Sequence, residues 1–220
     1  MKKDELLARV GWQDPFEGYS PLSAPESWTW NYDREFLQGI YRRIPQPRLI
    51  VEVGSWLGNS AIEASKFYAT KLNWRDFTLI CVDTWLGSAE HWTRPDPGRS
   101  LARVHGFPVL YEPFLSNIVY AGLEDLILPL PQTSVNAARI LHHFQLQYQF
   151  SFDWVYLDAS HETMDVETDL KMYWPLVRSG GVLFGDDWNW NSVRTPVIDF
   201  CDVNGLRPET SYHSWAIWKS

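Results

Sequence analysis

The sequence predicts a doubly wound α/β fold: a mostly parallel seven-stranded sheet with helices on both faces and an antiparallel C-terminal hairpin strand. Three observations carry this. Short apolar runs, bounded by turn residues, alternate with stretches of helical period from Arg48 onward. Five of these runs are each followed by a helical stretch, the alternation that builds a parallel sheet between two helical layers. The last two runs are joined only by a short loop at Ser211 to His213, too short for a parallel crossover, so they pair antiparallel.

Taken in order, a polar opening rich in Pro and Trp runs to about Asn31. It leads into a helix from Asp33 to Arg43, stopped by Pro45 and Pro47. The first strand is Arg48 to Val53, followed by the turn Gly54 to Gly58 and a helix from Asn59 to about Leu72. A second strand, Phe77 to Val82, ends at Asp83. Residues 84–109 hold Pro, Gly, Trp and His without a clean period, which suggests an inserted loop, and long loops in compact domains are usually functional or disordered. A helix near Pro113 to Ala121, a strand around Leu126 to Leu130 and a helix from Ser134 to Phe144 come next. The strand Phe152 to Leu157 ends at Asp158, a helix spans about Val166 to Val177, and the strand Gly181 to Phe184 leads into Gly185-Asp186-Asp187. A helix from Val193 to Val203 and strands at about Leu206 to Thr210 and Ser214 to Trp218 complete the chain. The expected organisation is one domain over 1–220, with an N-terminal cap segment at 1–45 and a lid loop at 84–109.

Composition narrows the partners. With 19 basic and 27 acidic residues the formal charge is −8, which argues against a surface for nucleic acid phosphates and favours a small neutral or cationic partner. The opening Met1 to Val10 has no apolar core of signal-peptide length and no stretch is long enough to span a bilayer, so the chain reads as soluble and cytoplasmic, with a homo-oligomer left open. Cys81 and Cys201 lack metal-ligand spacing and read as buried thiols. The 13 tryptophans include Trp12, Trp28, Trp30, Trp85, Trp92, Trp188 and Trp190, which, with His91, are candidates to wall a pocket for a flat acceptor, although ordinary packing accounts for part of them.

The strongest chemical signal is Asp158-Ala-Ser-His161 taken with Asp186 and Asp187. If their strands are neighbours, the ends lie about 5 Å apart and three carboxylates converge. Such a group raises its own pKa values unless a cation neutralises it. An oxygen-only set suits Mg²⁺, Mn²⁺ or Ca²⁺. The plain alternative is that these are helix caps, a role Asp favours. His161 follows Asp158 by three residues, and an imidazole's ordinary pKa near 6.5 suits a general base at neutral pH.

The segment Glu52-Val-Gly-Ser-Trp-Leu-Gly-Asn-Ser60 lies between a strand and a helix. Gly54 permits a sharp turn, Gly58 permits close approach to a ligand, and the helix N-terminus offers N–H groups to an anion. It lacks the third glycine of the dinucleotide fingerprint and the Gly-Lys-Ser/Thr of a phosphate loop. Asp83, at the end of the second strand, stands where an acid can accept both hydroxyls of a ribose, or is an ordinary turn residue.

On these motifs, together with Val155-Tyr-Leu-Asp158, Ser179 to Asp187 and the closing hairpin, the chain from about residue 33 to 220 resembles the class I S-adenosylmethionine-dependent methyltransferases, whose fold is Rossmann-like. Within the class it is similar to the metal-dependent O-methyltransferases, the catechol, macrolide-sugar and cephalosporin-hydroxylase-like group. The resemblance implies that Glu52, Gly54, Ser55, Trp56, Gly58 and Ser60 surround the methionine half of S-adenosylmethionine, Asp83 its ribose, and Gln132, Thr133 and Ser134 its adenine, with Asp158 also at the cofactor. It implies a Mg²⁺-type ion on Asp158, Asp186 and Asp187, and catalysis by His161 and Asp158, since catechol-type enzymes carry a catalytic lysine at the offset of His161. Where those enzymes have Asp-Asn, this chain has Asp186-Asp187, which adds negative charge. The implied reaction is methyl transfer to a hydroxyl of a small molecule, a sugar or a phenol. A non-catalytic S-adenosylmethionine-binding protein and a Rossmann oxidoreductase are the alternatives, and the missing third glycine counts against the latter.

Overall fold

A computed structural model describes residues 1–21, 33–93 and 101–220. Its main sheet has seven strands in the order β5-β2-β1-β6-β7-β9-β8. These are β1 (Leu49–Val53), β2 (Thr78–Asp83), β5 (Ile127–Pro131), β6 (Phe152–Leu157), β7 (Val177–Gly185), β8 (Glu209–Thr210) and β9 (Trp215–Trp218). The five strands from β5 to β7 are parallel, β9 is antiparallel to β7, and β8 is antiparallel to β9. This is the mostly parallel Rossmann-like sheet that the alternation of runs predicts.

Strand side chains alternate between two apolar layers. Leu49, Val51 and Val53 of β1 join the layer formed by α1 (Lys3–Val10), α6 (Ser134–Tyr148), α7 (Thr163–Tyr173) and α8 (Asn191–Asn204). Ile50 faces the opposite layer, with α2 (Arg34–Arg43), α3 (Asn59–Lys66) and α5 (Tyr111–Ala121). Strands covered on both faces bury every residue, and all five residues of β1 are buried.

The chain leaves β1 toward β2 and β5 on one side and returns to β6 and β7 on the other. The strand order therefore reverses between β1 and β6, and at such a reversal the loops leaving the C-terminal strand ends diverge and open a crevice. The turn after β1, Asp83, Asp158 and Asp186-Asp187 all lie at that end of the sheet.

Several elements differ from the sequence expectation. The opening is not irregular throughout: Lys3–Val10 is helical, with Leu6 and Leu7 in the core. The Lys3 ammonium is buried there, paired with Asp14 at 2.7 Å and lying 4.9 Å from the centre of the Phe16 ring. Helix α7 stops at Tyr173, and a 3-10 turn over Trp174–Leu176 carries the chain into β7, which starts four residues before the expected Gly181. The sheet absorbs the glycine pair Gly180-Gly181 through a register shift opposite Phe152 and Trp154. The described part of the 84–109 segment contains the short helix α4 (Ala89–Thr93) and the hairpin β3 (Arg103–Val104) and β4 (Phe107–Pro108). Trp28 and Trp30 lie outside the described residues. Cys81 and Cys201 are free and buried, and among the described residues no helix is long and apolar enough to cross a membrane.

Candidate active site

The turn after β1 is built on backbone contacts that only glycine allows. Gly54 has φ 93° and donates its N–H to Val82 O at 2.8 Å, and a Cβ there would stand 2.0 Å from Asp158 O. The Asp158 N–H in turn donates to Val53 O at 2.8 Å. The bare Gly54 thus lets the ends of β1 and β6 close together, which sets the glycine turn beside the acidic strand end. Gly58, at φ 84°, begins α3, and a Cβ on it would meet the Phe114 ring at 3.0 Å. Its bareness lets α5 pack closely against this turn.

Between these glycines Trp56 adopts φ 48°, a left-handed conformation that is costly for a bulky residue. Its neighbours hold it there. The Trp56 N–H donates to Asp83 Oδ2 at 2.8 Å, and its carbonyl accepts the Trp85 indole N–H at 2.8 Å. Trp85 is also left-handed, φ 53°, and donates its own N–H to Asp83 Oδ1 at 2.7 Å. Asp83 therefore braces two strained turns with its two carboxylate oxygens. Burial raises its pKa, while these backbone N–H groups oppose that rise by stabilising the anion. Beside it, burial pushes the Glu52 carboxyl up to about 7, against hydrogen bonds from Ser60 and Ser55, the latter at 2.7 Å.

The acidic cluster forms where β6 and β7 end. Asp158 is pushed well above the carboxylate range by burial first and then by the negative charges of Asp186 and Asp187. Burial and the same repulsion hold Asp186 at about 6. The three acids and His161 line one small cavity beneath α7 and α8, together with the buried Asp169 of α7. Their side chains are not equivalent. One ligand-type atom each from Asp158, His161 and Asp187 lies within 4.8 Å of the others, with His161 Nε2 2.8 Å from Asp187 Oδ2. Asp186 has turned aside: its Oδ1 accepts the Ser214 hydroxyl at 3.0 Å, and its backbone carbonyl accepts the Trp215 indole N–H at 3.2 Å. Asp187 sits at φ 57°, a left-handed position that Asp tolerates better than most residues. This donor set of two carboxylates and an imidazole, short of positive charge, fits a divalent cation.

The residues after β5 are engaged locally. Thr133 caps α6 by accepting the Asn136 N–H at 3.2 Å, Gln132 Oε1 accepts from the Asn136 amide at 3.5 Å, and the Ser134 hydroxyl donates to Asp169. The tryptophans divide between packing and site. Trp12 packs edge-on against Phe144, Trp188 joins the same core layer, and Trp85 is buried against Tyr111 and Phe114. Trp190 lies 4.9 Å from the His161 ring, and His91 of α4 stacks on Trp56 at 4.4 Å. Trp92 is half-exposed, its indole N–H on Leu86 O and Arg103 over its ring. The His91–Trp56 stack and the Asp169–Ser134 contact were not foreseen; Asp169 could have been found, being four residues from Asp165 on one helix face.

The methyltransferase-domain family model matches residues 51–188, which run from the glycine turn through the acidic cluster. No curated protein sequence matches the chain. Among solved structures, an O-methyltransferase from Bacillus cereus in complex with SAH is similar, at 16% identity and TM-score 0.55, over 98% of this chain and 90% of that one. TomG from Streptomyces achromogenes, an O-methyltransferase of tomaymycin synthesis in complex with SAM, aligns at 15% identity and TM-score 0.55, over 87% of this chain and 82% of its own. The O-methyltransferase NovP aligns at 16% identity and TM-score 0.59, over 83% of this chain and 76% of its own. With the family match spanning more than half of the chain, and with the sheet order and strand-end turn that it requires in place, the chain belongs to the methyltransferase-domain family, the class I S-adenosylmethionine-dependent methyltransferases.

Proposed function

We propose that this methyltransferase acts on a hydroxyl oxygen of a small acceptor, a sugar or a phenol, with a divalent ion bound beside the cofactor. The observation that carries the reading is the adjacency of two features at one end of the sheet. The Gly54 turn lies against the backbone of Asp158, from which the Asp158–His161–Asp187 convergence begins. When bound, S-adenosylmethionine supplies an electrophilic methyl group and a divalent ion supplies charge that acidifies a hydroxyl.

The chain's own residues supply position and proton transfer. Glu52, Gly54, Ser55, Trp56, Gly58 and Ser60 enclose the methionine half of the cofactor, Asp83 its ribose, and Gln132, Thr133 and Ser134 its adenine. Asp158 and Asp187 hold the ion, with Asp186 lining the same cavity. His161 and Asp158 stand at the acceptor oxygen, and the proton lost as the C–O bond forms and the C–S bond breaks passes into this cluster of imidazole and carboxylates. The lid of the site is represented by α4, whose His91 stacks on Trp56 at 4.4 Å. The similar structures are O-methyltransferases, which supports oxygen as the nucleophile. The formal charge of −8 supports a small acceptor over nucleic acid.

The test is calorimetry with S-adenosylmethionine and with NAD, followed by an acceptor screen read as a mass gain of one methyl group. Binding of S-adenosylmethionine with methylation of hydroxyl compounds is expected. NAD binding alone would make the protein an oxidoreductase, and cofactor affinity with neither turnover nor metal dependence would make it a binding protein.

A further inference from the structure

Resting on the ion-binding reading of the strand-end cluster, we propose that the ion is held by Asp158, His161 and Asp187, a mixed oxygen and nitrogen set that selects a borderline transition metal such as Mn²⁺, Fe²⁺, Co²⁺ or Zn²⁺ over Mg²⁺. Four observations converge on it. The three side chains bring one ligand-type atom each to within 4.8 Å of one another. Ligands about 2.0–2.2 Å from a metal stand roughly 3 Å apart when adjacent in an octahedron, and His161 Nε2 is already 2.8 Å from Asp187 Oδ2. Asp186, which the all-carboxylate set requires, brings no ligand-type atom into that group and instead spends its Oδ1 on the Ser214 hydroxyl at 3.0 Å. The His161 ring is backed by Trp190 at 4.9 Å, and Asp187 is presented from a left-handed backbone at φ 57°.

The choice of metal follows from the imidazole. Mg²⁺ demands oxygen ligands and gives up water reluctantly, whereas an imidazole suits the later first-row metals, whose affinity for a mixed site rises along Mn²⁺, Fe²⁺ and Co²⁺. Replacing one oxygen of a carboxylate triad by a neutral nitrogen also removes one negative charge. That lowers the attraction for any hard dication and leaves ligand softness to decide.

Calorimetric titration of chelator-treated, dialysed protein with Mg²⁺, Mn²⁺ and Co²⁺, with Co²⁺ absorption followed in parallel, tests this. The wild type should bind Co²⁺ at least about tenfold more tightly than Mg²⁺, with a spectrum that changes when His161 is replaced. His161→Ala should lose Co²⁺ affinity by more than the roughly 10–100-fold that loss of an outer-shell partner costs. His161→Asp should regain Mg²⁺ binding while Co²⁺ binding stays weakened. Asp186→Asn should leave Co²⁺ affinity within a few-fold of wild type. The proposal is overturned if His161→Ala binds Co²⁺ as the wild type does, which would leave His161 paired to Asp187 as a base or a structural ion pair. It is equally overturned if Asp186→Asn abolishes Co²⁺ binding while His161→Ala does not, which would restore the all-carboxylate set. Titration of each protein with S-adenosylmethionine separates the two levels: retained cofactor binding shows that a variant is folded. Absence of cofactor binding in the wild type would count against the methyltransferase site itself, not against this ligand set.

Discussion

A methyl group at Gly54 would sit 2.0 Å from the carbonyl oxygen of Asp158, and both sides of that contact are backbone. Neither can move without parting β1 from β6 at the end where the site is built. Gly54→Ala should therefore cost at least about 3 kcal/mol, the upper range for forced overpacking, plus the strain of an alanine at φ 93°. Urea denaturation reads this directly, and a midpoint close to wild type would contradict the geometry. Asp83 makes a different prediction because it braces two left-handed tryptophans. Asp83→Ala strands the N–H groups of Trp56 and Trp85 and should cost about 1–3 kcal/mol for each buried donor left unpaired, while Asp83→Asn keeps one acceptor and recovers part of the loss. If Asp83 also holds the ribose, the Asn variant should bind S-adenosylmethionine more weakly even where its stability is largely restored. Unchanged stability in Asp83→Ala would remove the brace.

At the scale of elements, α7 carries a carboxyl group into its packing against α6. Asp169 is buried, accepts the Ser134 hydroxyl at the start of α6, and is raised to about 6, by burial first and then by the charge of Asp165. A carboxyl group whose folded pKa lies above its unfolded value contributes stability that is fully present below the unfolded pKa near 3.9. That contribution is lost as the pH rises through the folded value, because the folded state then bears a buried charge. Asp169→Asn keeps an acceptor for Ser134 and removes the charge. Its stability relative to wild type should rise by about 2 kcal/mol between about pH 4.5 and 7.5, as measured by thermal or urea unfolding at each pH. A difference that stays flat across that range would show that Asp169 ionises within the α6–α7 packing as readily as in the unfolded chain.

The whole molecule places the two halves of its chemistry on neighbouring loops of a single sheet end. The proposed cofactor turn hangs from β1 and β2, and the proposed ion cluster from β6 and β7, so the two halves should be separable. Chelation with EDTA should abolish methyl transfer while leaving S-adenosylmethionine affinity nearly intact, and added Mn²⁺ should restore turnover at a lower concentration than Mg²⁺ does, because the proposed role of the ion is acidification of the hydroxyl rather than cofactor binding. Full activity in chelator would remove the ion from the mechanism. Loss of cofactor affinity on chelation would mean that the two halves share ligands.

Periodicity and turn residues determined the order and type of the main-sheet strands and the longer helices between them, because strands buried on both faces read as continuous apolar runs and their ends are marked by Gly, Pro and Asp. The same local signals put Gly54, Asp83, Asp158, Asp186 and Asp187 at the C-terminal strand ends. The helix Lys3–Val10 escaped because much of what anchors it is a buried lysine paired to Asp14, a contact that has no apolar period. Side-chain direction was decided only in three dimensions. Asp186 and Asp187 are equivalent as sequence, yet the first is drawn to Ser214 on the closing hairpin and the second to His161 at the entry to α7. Phe114 of α5, more than fifty residues later in the chain, packs where a Gly58 side chain would stand, a constraint that no local motif announces. Local sequence encodes the backbone's turns and periods; which partner a polar group meets depends on segments distant in the chain, and only the closed sheet brings those together.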